Sequence, residues 1–170
     1  MLSVENLSIS FNTFEGETDV LEDVSFSIDE GEILAIVGES GSGKSVSAYS
    51  ILGLLDKNSK IKGGSIKYYD KNLLKLPQKE IRKFRGKEIA MIFQEPMTAL
   101  NGTMKVGKQL INIIRQNLNL SKKEAYDVMI NSLREVHFDN PEIIAQKYPH
   151  ELSGGMRQRI VISLAISSKP

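Results

Sequence analysis

The stretch Gly38-Glu39-Ser40-Gly41-Ser42-Gly43-Lys44-Ser45 follows the apolar run Ile33-Leu34-Ala35-Ile36-Val37 and precedes apolar residues at Ala48, Ile51, Leu52 and Leu55. The run is expected to form a buried strand and the later spacing a helix, so the octapeptide joins strand to helix. Glycines at 38, 41 and 43 allow the backbone to turn with its N–H groups inward. Loop and helix start then make an anion-binding concavity that runs from Gly38 through Ser40, Gly41, Ser42 and Gly43 to Val46. Lys44 is expected to reach the β- and γ-phosphates of a nucleotide, and the Ser45 hydroxyl to ligate Mg²⁺. The bland alternative is a Gly/Ser-rich turn with a solvated lysine. Two required glycines plus Lys and Ser or Thr arise by chance in roughly one chain in a hundred of this length.

About 110 residues downstream stands Leu152-Ser153-Gly154-Gly155-Met156, followed by Arg157-Gln158-Arg159. Ser153 and the two glycines sit where a helix is expected to begin, with Ile160, Val161, Leu164 and Ala165 on its apolar face. Such a start offers unbonded N–H groups, the positive end of a dipole and a hydroxyl to an anion. Alone, it reads better as an ordinary capped helix. Together with the phosphate loop it resembles the signature sequence of the ATP-binding-cassette (ABC) ATPases. That resemblance implies that two such domains pair head to tail, Ser153, Gly154 and Gly155 of one closing over the γ-phosphate held by the other.

Further segments match the same template. Ile89-Ala90-Met91-Ile92-Phe93 reads as a second buried strand, and Gln94 at its end resembles the family glutamine that touches Mg²⁺ and the attacking water. Phe11 ends the alternating stretch Leu2, Val4, Leu7 and Ile9 and resembles the aromatic that stacks on adenine, with Phe14 as the alternative. The resemblance is most specific to the ATPase subunits of oligopeptide and dipeptide importers, the first of the two paired subunits. It is carried by Val37–Ser47, by Met91-Ile92-Phe93-Gln94-Glu95-Pro96-Met97-Thr98-Ala99-Leu100-Asn101, and by Tyr148–Arg159. Gly102 departs from it, where the family usually has proline.

Lys169-Pro170 is where the family's Walker B strand should begin. By this resemblance the sequence lacks the Asp that supports Mg²⁺, the general-base Glu, the D-loop and the switch histidine. Glu39, Glu95 and His150 do not match the base's position. Phosphoryl transfer needs positioning, charge neutralisation and an oriented water, so residues 1–170 alone are expected to be inactive.

Composition agrees with a soluble domain. In 170 residues, 41% hydrophobic content can supply a core, and a formal net charge of +1 gives no electrostatic reason to invoke nucleic acid. The absence of cysteine excludes disulfides and Cys-ligated metal. No run approaches the ~20 apolar residues of a membrane span, and Met1–Glu5 lacks the character of a signal peptide. The cluster Arg82-Lys83-Phe84-Arg85-Gly86-Lys87 reads as a solvated face.

Residues 1–95 are expected to form a strand-rich core. Val24, Phe26 and Ile28 continue the first strand's alternation, and Ser65–Tyr69 follows the turn-prone Gly63-Gly64. Residues 96–150 read as a helical subdomain. Val106, Leu110, Ile113, Ile114 and Leu118 share one face, and a capping box of Ser121 and Glu124 precedes Ala125, Val128, Met129, Leu133 and Val136. Residues 151–170 hold the signature and its helix.

The expected fold is therefore an α/β P-loop domain of ABC type with an inserted helical subdomain, incomplete at its C-terminus. The resemblance implies ATP and Mg²⁺ as ligands, a second ATPase subunit and integral membrane permease subunits as partners, and an extracytoplasmic solute-binding protein acting indirectly. It places the protein at the cytoplasmic face of the membrane. Import of nickel or another small solute is the alternative within transport; a soluble ABC ATPase of DNA repair or translation and a non-catalytic nucleotide-binding module are the alternatives outside it.

Overall fold

The computed structural model describes residues 1–94 and 99–170. The chain divides into two compact units, Met1–Arg82 and Lys83–Pro170, so residues 83–94 group with the helices that follow them.

In the first unit, alternating apolar residues build β1 (Leu2–Thr13), which buries Leu2, Val4, Leu7 and Ile9. The chain then reverses at Phe14 and Glu15 and returns as β2 (Gly16–Ile28), antiparallel to β1. Val24, Phe26 and Ile28 thus lie on a second strand and do not extend the first. On the other side of β1 runs β3 (Ser59–Tyr68), with the two-residue β4 (Lys71–Asn72) beyond it, giving the order β2-β1-β3-β4 with every pair antiparallel.

Gly63-Gly64 is not a turn. Both glycines lie inside β3, where Glu5 pairs with Ser65 but Ser8 pairs with Gly63, so β1 carries one residue more than its partner. Asn6 at φ 49° absorbs the extra residue as a bulge. Gly64 lies opposite at φ 95°, and a Cβ there would stand 2.5 and 2.6 Å from the carbonyl oxygens of Asn6 and Glu5. A turn residue of the sequence is therefore a close-approach residue of the sheet.

Two expected strands are not formed. Residues 32–39 join no ladder, and Ile33 and Val37 are 95% and 89% exposed. Ile89–Phe93 makes only one isolated parallel bridge, Arg85 to Ile89. The reason is common to both: apolar strands of a parallel sheet become stable by pairing on either side and being covered on both faces. No described residue supplies that ladder.

The helices follow the sequence more closely. In the first unit, α1 (Lys44–Ile51) starts at the phosphate loop and buries Ser47 and Ser50, ending before the expected Leu55. The short α2 (Gln78–Phe84) ends just past the division between the units. The second unit packs α3 (Val106–Leu118), α4 (Lys122–Glu135), α5 (Pro141–Gln146) and α6 (Gly154–Ile166). Leu110, Ile114, Met129, Leu133 and Ile160 are fully buried at the centre of that unit. Truncating one such side chain to alanine costs roughly 2–5 kcal/mol, so this core dominates the unit's stability. Among the described residues, no helix is long and apolar enough to cross a membrane.

The capping box forms as read. Ser121 Oγ accepts from the Glu124 N–H at 3.3 Å, and the Glu124 carboxylate accepts from the Ser121 N–H at 2.9 Å. Hydrogen bonds from Ser121 hold the Glu124 carboxyl below the usual carboxylate range. A lowered folded-state pKa means that the stability it brings is present above the ordinary carboxylate pKa and is lost as pH falls through the folded value. Ser121→Ala should lower stability by about 1 kcal/mol at neutral pH. Urea unfolding should show the gap between variant and wild type narrowing as pH is lowered through the carboxylate range.

Candidate functional site

The start of α1 is shaped for an anion. Its N-cap is Gly43 in the left-handed region (φ 86°), which offers no side chain to cap the helix. The first N–H groups of a helix have no intrahelical acceptor, so they remain available to a ligand, with the positive end of the helix dipole behind them. A second left-handed residue, Gly41 at φ 85°, turns the loop.

Gly43 also fixes the loop to the sheet. A Cβ there would lie 2.4 Å from Leu21 Cδ2 of β2 and 3.2 Å from the Val20 carbonyl oxygen. Ser47 completes the anchor from inside α1, its N–H and hydroxyl both donating to the Gly43 carbonyl at 2.9 and 3.1 Å. The sequence did not single out Leu21, and it included Ser47 only as the end of the Val37–Ser47 segment, without a role. A serine four residues into the helix after a glycine N-cap was the available signal for the latter.

Lys44 is held by the loop it belongs to. Its ammonium donates to the carbonyls of Gly38 at 2.8 Å and Glu39 at 2.6 Å and to Ser42 Oγ at 3.2 Å. Three acceptors match three N–H donors, which places a fixed positive charge within the loop. Ser45 is exposed, and so are Ser40, Gly41 and Ser42. Uncapped amides, a dipole end and an oriented cation together fit a polyphosphate, and the hard hydroxyl oxygen of Ser45 fits a magnesium ion beside it.

Phe11 belongs to the same unit. It is half-buried on β1, opposite Thr18 on β2 and Ser59 on β3, whereas Phe14 is fully exposed where the hairpin reverses. Gln94 and the signature lie in the other unit. Gln94 is exposed in irregular backbone, since the strand expected to present it is not formed. Glu95, Pro96, Met97 and Thr98 lie outside the described residues.

Ser153 is the N-cap of α6, its Oγ accepting from the Met156 N–H at 3.3 Å. Gly154 and Gly155 follow, both exposed, with open space where a Cβ would be. The serine oxygen is thus used locally, while its proton and the first-turn amides can be offered to an anion. Arg159 is structural. It donates to the carbonyls of Val136 and His137, at 3.4 and 2.8 Å, and lies over the Phe138 ring at 4.4 Å. His150 stacks on Tyr148 at 5.5 Å between centroids, a packing role.

The sequence also matches a known family. The family described as ABC transporter matches residues 21–170, and the chain belongs to that family. Over its whole length it is 43% identical to the dipeptide transport ATP-binding protein DppD of Lactococcus lactis subsp. cremoris, of which it covers 49%. It is 43% identical to the oligopeptide transport ATP-binding protein OppD of Escherichia coli, covering 50%, and 46% identical to OppD of Bacillus subtilis, covering 48%. The chain thus spans about half the length of the curated relatives it matches. Among solved structures it is similar to the ATP-binding cassette MJ0796 in a dimeric post-hydrolysis state bound to ADP and Pi. The TM-score is 0.87 at 26% identity, over 100% of this chain and 71% of that one. With cbiO1 of Clostridium perfringens, part of the cbiONQ complex, the TM-score is 0.73 at 26% identity, over 99% of this chain and 62% of that one. The fold is that of an ABC-type ATPase cassette, α/β with a helical region.

Because position 43 sits at φ 86° and a Cβ there would press on Leu21 Cδ2, Gly43→Ala should strain the loop and displace the Leu21 side chain. Thermal or urea unfolding should show a loss of about 1–3 kcal/mol. Unchanged stability would mean that Leu21 and the loop relax freely.

Proposed function

We propose that the protein is the ATP-binding subunit of an importer of oligopeptides or dipeptides, working at the cytoplasmic face of the membrane. The observation that carries this reading is the similarity along the entire chain to dipeptide and oligopeptide transport ATP-binding proteins. The loop geometry supports the nucleotide part of it independently.

In this reading Lys44 and the amides from Gly38 to Val46 hold the phosphates, while Ser45 and Gln94 serve the metal. Phe11 stacks on the base, and Ser153 with Gly154 and Gly155 acts on a second subunit's nucleotide. Magnesium, when bound, neutralises charge between the phosphates. Lys44 is anchored at the loop by three acceptors that use its three N–H donors, so meeting a phosphate exchanges part of that set for phosphate oxygens. The partners are a second ATPase subunit, integral membrane permease subunits and, indirectly, an extracytoplasmic solute-binding protein. Residues 1–95, 96–150 and 151–170 are read as nucleotide-binding core, helical subdomain and signature segment.

Lys44→Ala should weaken MgATP binding by at least about tenfold, or 1.4 kcal/mol. Equal affinity in a calorimetric titration would sink the nucleotide assignment. Co-purification of the protein with integral membrane subunits, and peptide uptake lost in the same variant, test the transport reading.

A finer point concerns turnover. We infer that residues 1–170 bind nucleotide without hydrolysing it, since none of Glu39, Glu95 and His150 matches the family's general base. A phosphate-release assay on residues 1–170 should stay at background; multiple turnovers abolished by Lys44→Ala would refute it.

A further inference from the structure

Within the second unit, the chain that carries Gln94 is gripped on either side of that residue, and both grips are side-chain amides of α3. Downstream, Gln109 holds Asn101 by both of its backbone groups. Gln109 Oε1 accepts from the Asn101 N–H at 2.8 Å, and Nε2 donates to the carbonyls of Asn101 and Met104 at 2.8 and 2.7 Å. Both amide hydrogens are thereby used, and at 9% exposure there is little water to exchange them for. Asn101 closes its own turn as well, Oδ1 accepting from the Thr103 N–H at 2.9 Å and from its hydroxyl at 2.8 Å.

Upstream, Asn117 Nδ2 donates to the Gly86 carbonyl at 3.2 Å and to Ser168 Oγ, also at 3.2 Å, just past the end of α6. The approach is close: Gly86 has φ 75°, and a Cβ there would stand 2.7 Å from Asn117 Nδ2. The Gly86 N–H donates to the Ile89 carbonyl at 2.8 Å, so the grip extends into the turn that leads toward Gln94. Gln109 and Asn117 stand about 12 Å apart along the helix axis, whereas residues 86–101 could span about 50 Å if fully extended. Gln94 lies near the middle of that stretch. A chain tethered this closely at both ends explores far less space than one tethered at a single end.

We propose that Gln109 and Asn117 are positioning residues for Gln94: α3 clamps the chain on both sides of it, so the glutamine moves with α3 and not on its own. What Gln94 does once positioned rests on the reading above, in which it serves the metal; the clamp rests on these hydrogen bonds alone. Because Asn117 also holds Ser168 behind α6, the helix that Ser153 caps, Gln94 and the signature share one frame. A carboxylate in place of either amide keeps the shape and removes the donors. The loss is greatest at Gln109, where the new oxygen would face two carbonyl oxygens in a buried place.

The chain contains no cysteine, so Gln94→Cys combined with Asn112→Cys, an exposed position of α3, gives a single pair of sites for nitroxide labels. Pulsed electron paramagnetic resonance then reads the distribution of distances between them. Adding Gln109→Glu should broaden that distribution, and so should Asn117→Asp, with circular dichroism showing the helices intact. A role confined to stability would lower the melting temperature and leave the distribution as it was; that result in either folded variant would overturn the proposal. If Gln109→Glu does not fold, Asn117→Asp decides by the same measurement. In the unlabelled protein, the gain in ATP affinity on adding Mg²⁺ should shrink in Gln109→Glu as it does in Gln94→Ala, while affinity in the presence of a chelator stays unchanged. Combining the two substitutions should add no further loss, because both act through one side chain; additive losses would count against the clamp. If Gln94→Ala leaves the magnesium gain intact, the metal reading of Gln94 falls, and the distance measurement alone decides the clamp.

Discussion

The contact on which the functional geometry depends is the one between Gly43 and Leu21. With only 2.4 Å separating the place of an absent Cβ from Leu21 Cδ2, the first turn of α1 lies directly on β2. The left-handed backbone at Gly43 then releases the helix amides without a capping side chain, and Lys44 turns back over the loop. Each of these needs the others. A side chain at 43 would be strained at that backbone angle and would press on Leu21, and a polar one would compete for the amides that an anion requires.

That dependence also explains which parts of the molecule were legible in the sequence. Loop chemistry is local: the spacing of three glycines, a lysine and a serine carries its own geometry, and so does the pairing of Ser121 with Glu124. The helical stripes behave likewise in the main: α3 and α4 bury Val106, Leu110, Ile114, Met129 and Leu133, whereas Ile113, read on the same face, is exposed. Ser153 was readable as a helix cap for the same reason.

Sheet structure was less legible, since a strand is defined by its neighbours. Ile33–Val37 and Ile89–Phe93 have the apolar character of buried strands, yet composition cannot supply a ladder, and without one they remain irregular. The hairpin of β1 and β2 was hidden because both strands alternate in the same way across a tight reversal. At Gly64 the sequence suggested a turn, whereas the need arises from β1, whose bulge at Asn6 brings two carbonyls against the glycine. Leu21 was invisible as a functional residue: nothing local distinguishes it from any other inward-facing strand residue.

The two cationic features of the molecule differ in what they can discriminate. Lys44 donates to three fixed oxygens, so its charge has a defined position and direction, and a ligand must match the loop to reach it. Lys108 and Lys122 have no such partners among the described residues and lie at an exposed surface, so nothing fixes where their charge points. Position-defined charge selects shape; mobile charge selects sign. The first suits a compact phosphate that must be held the same way each time.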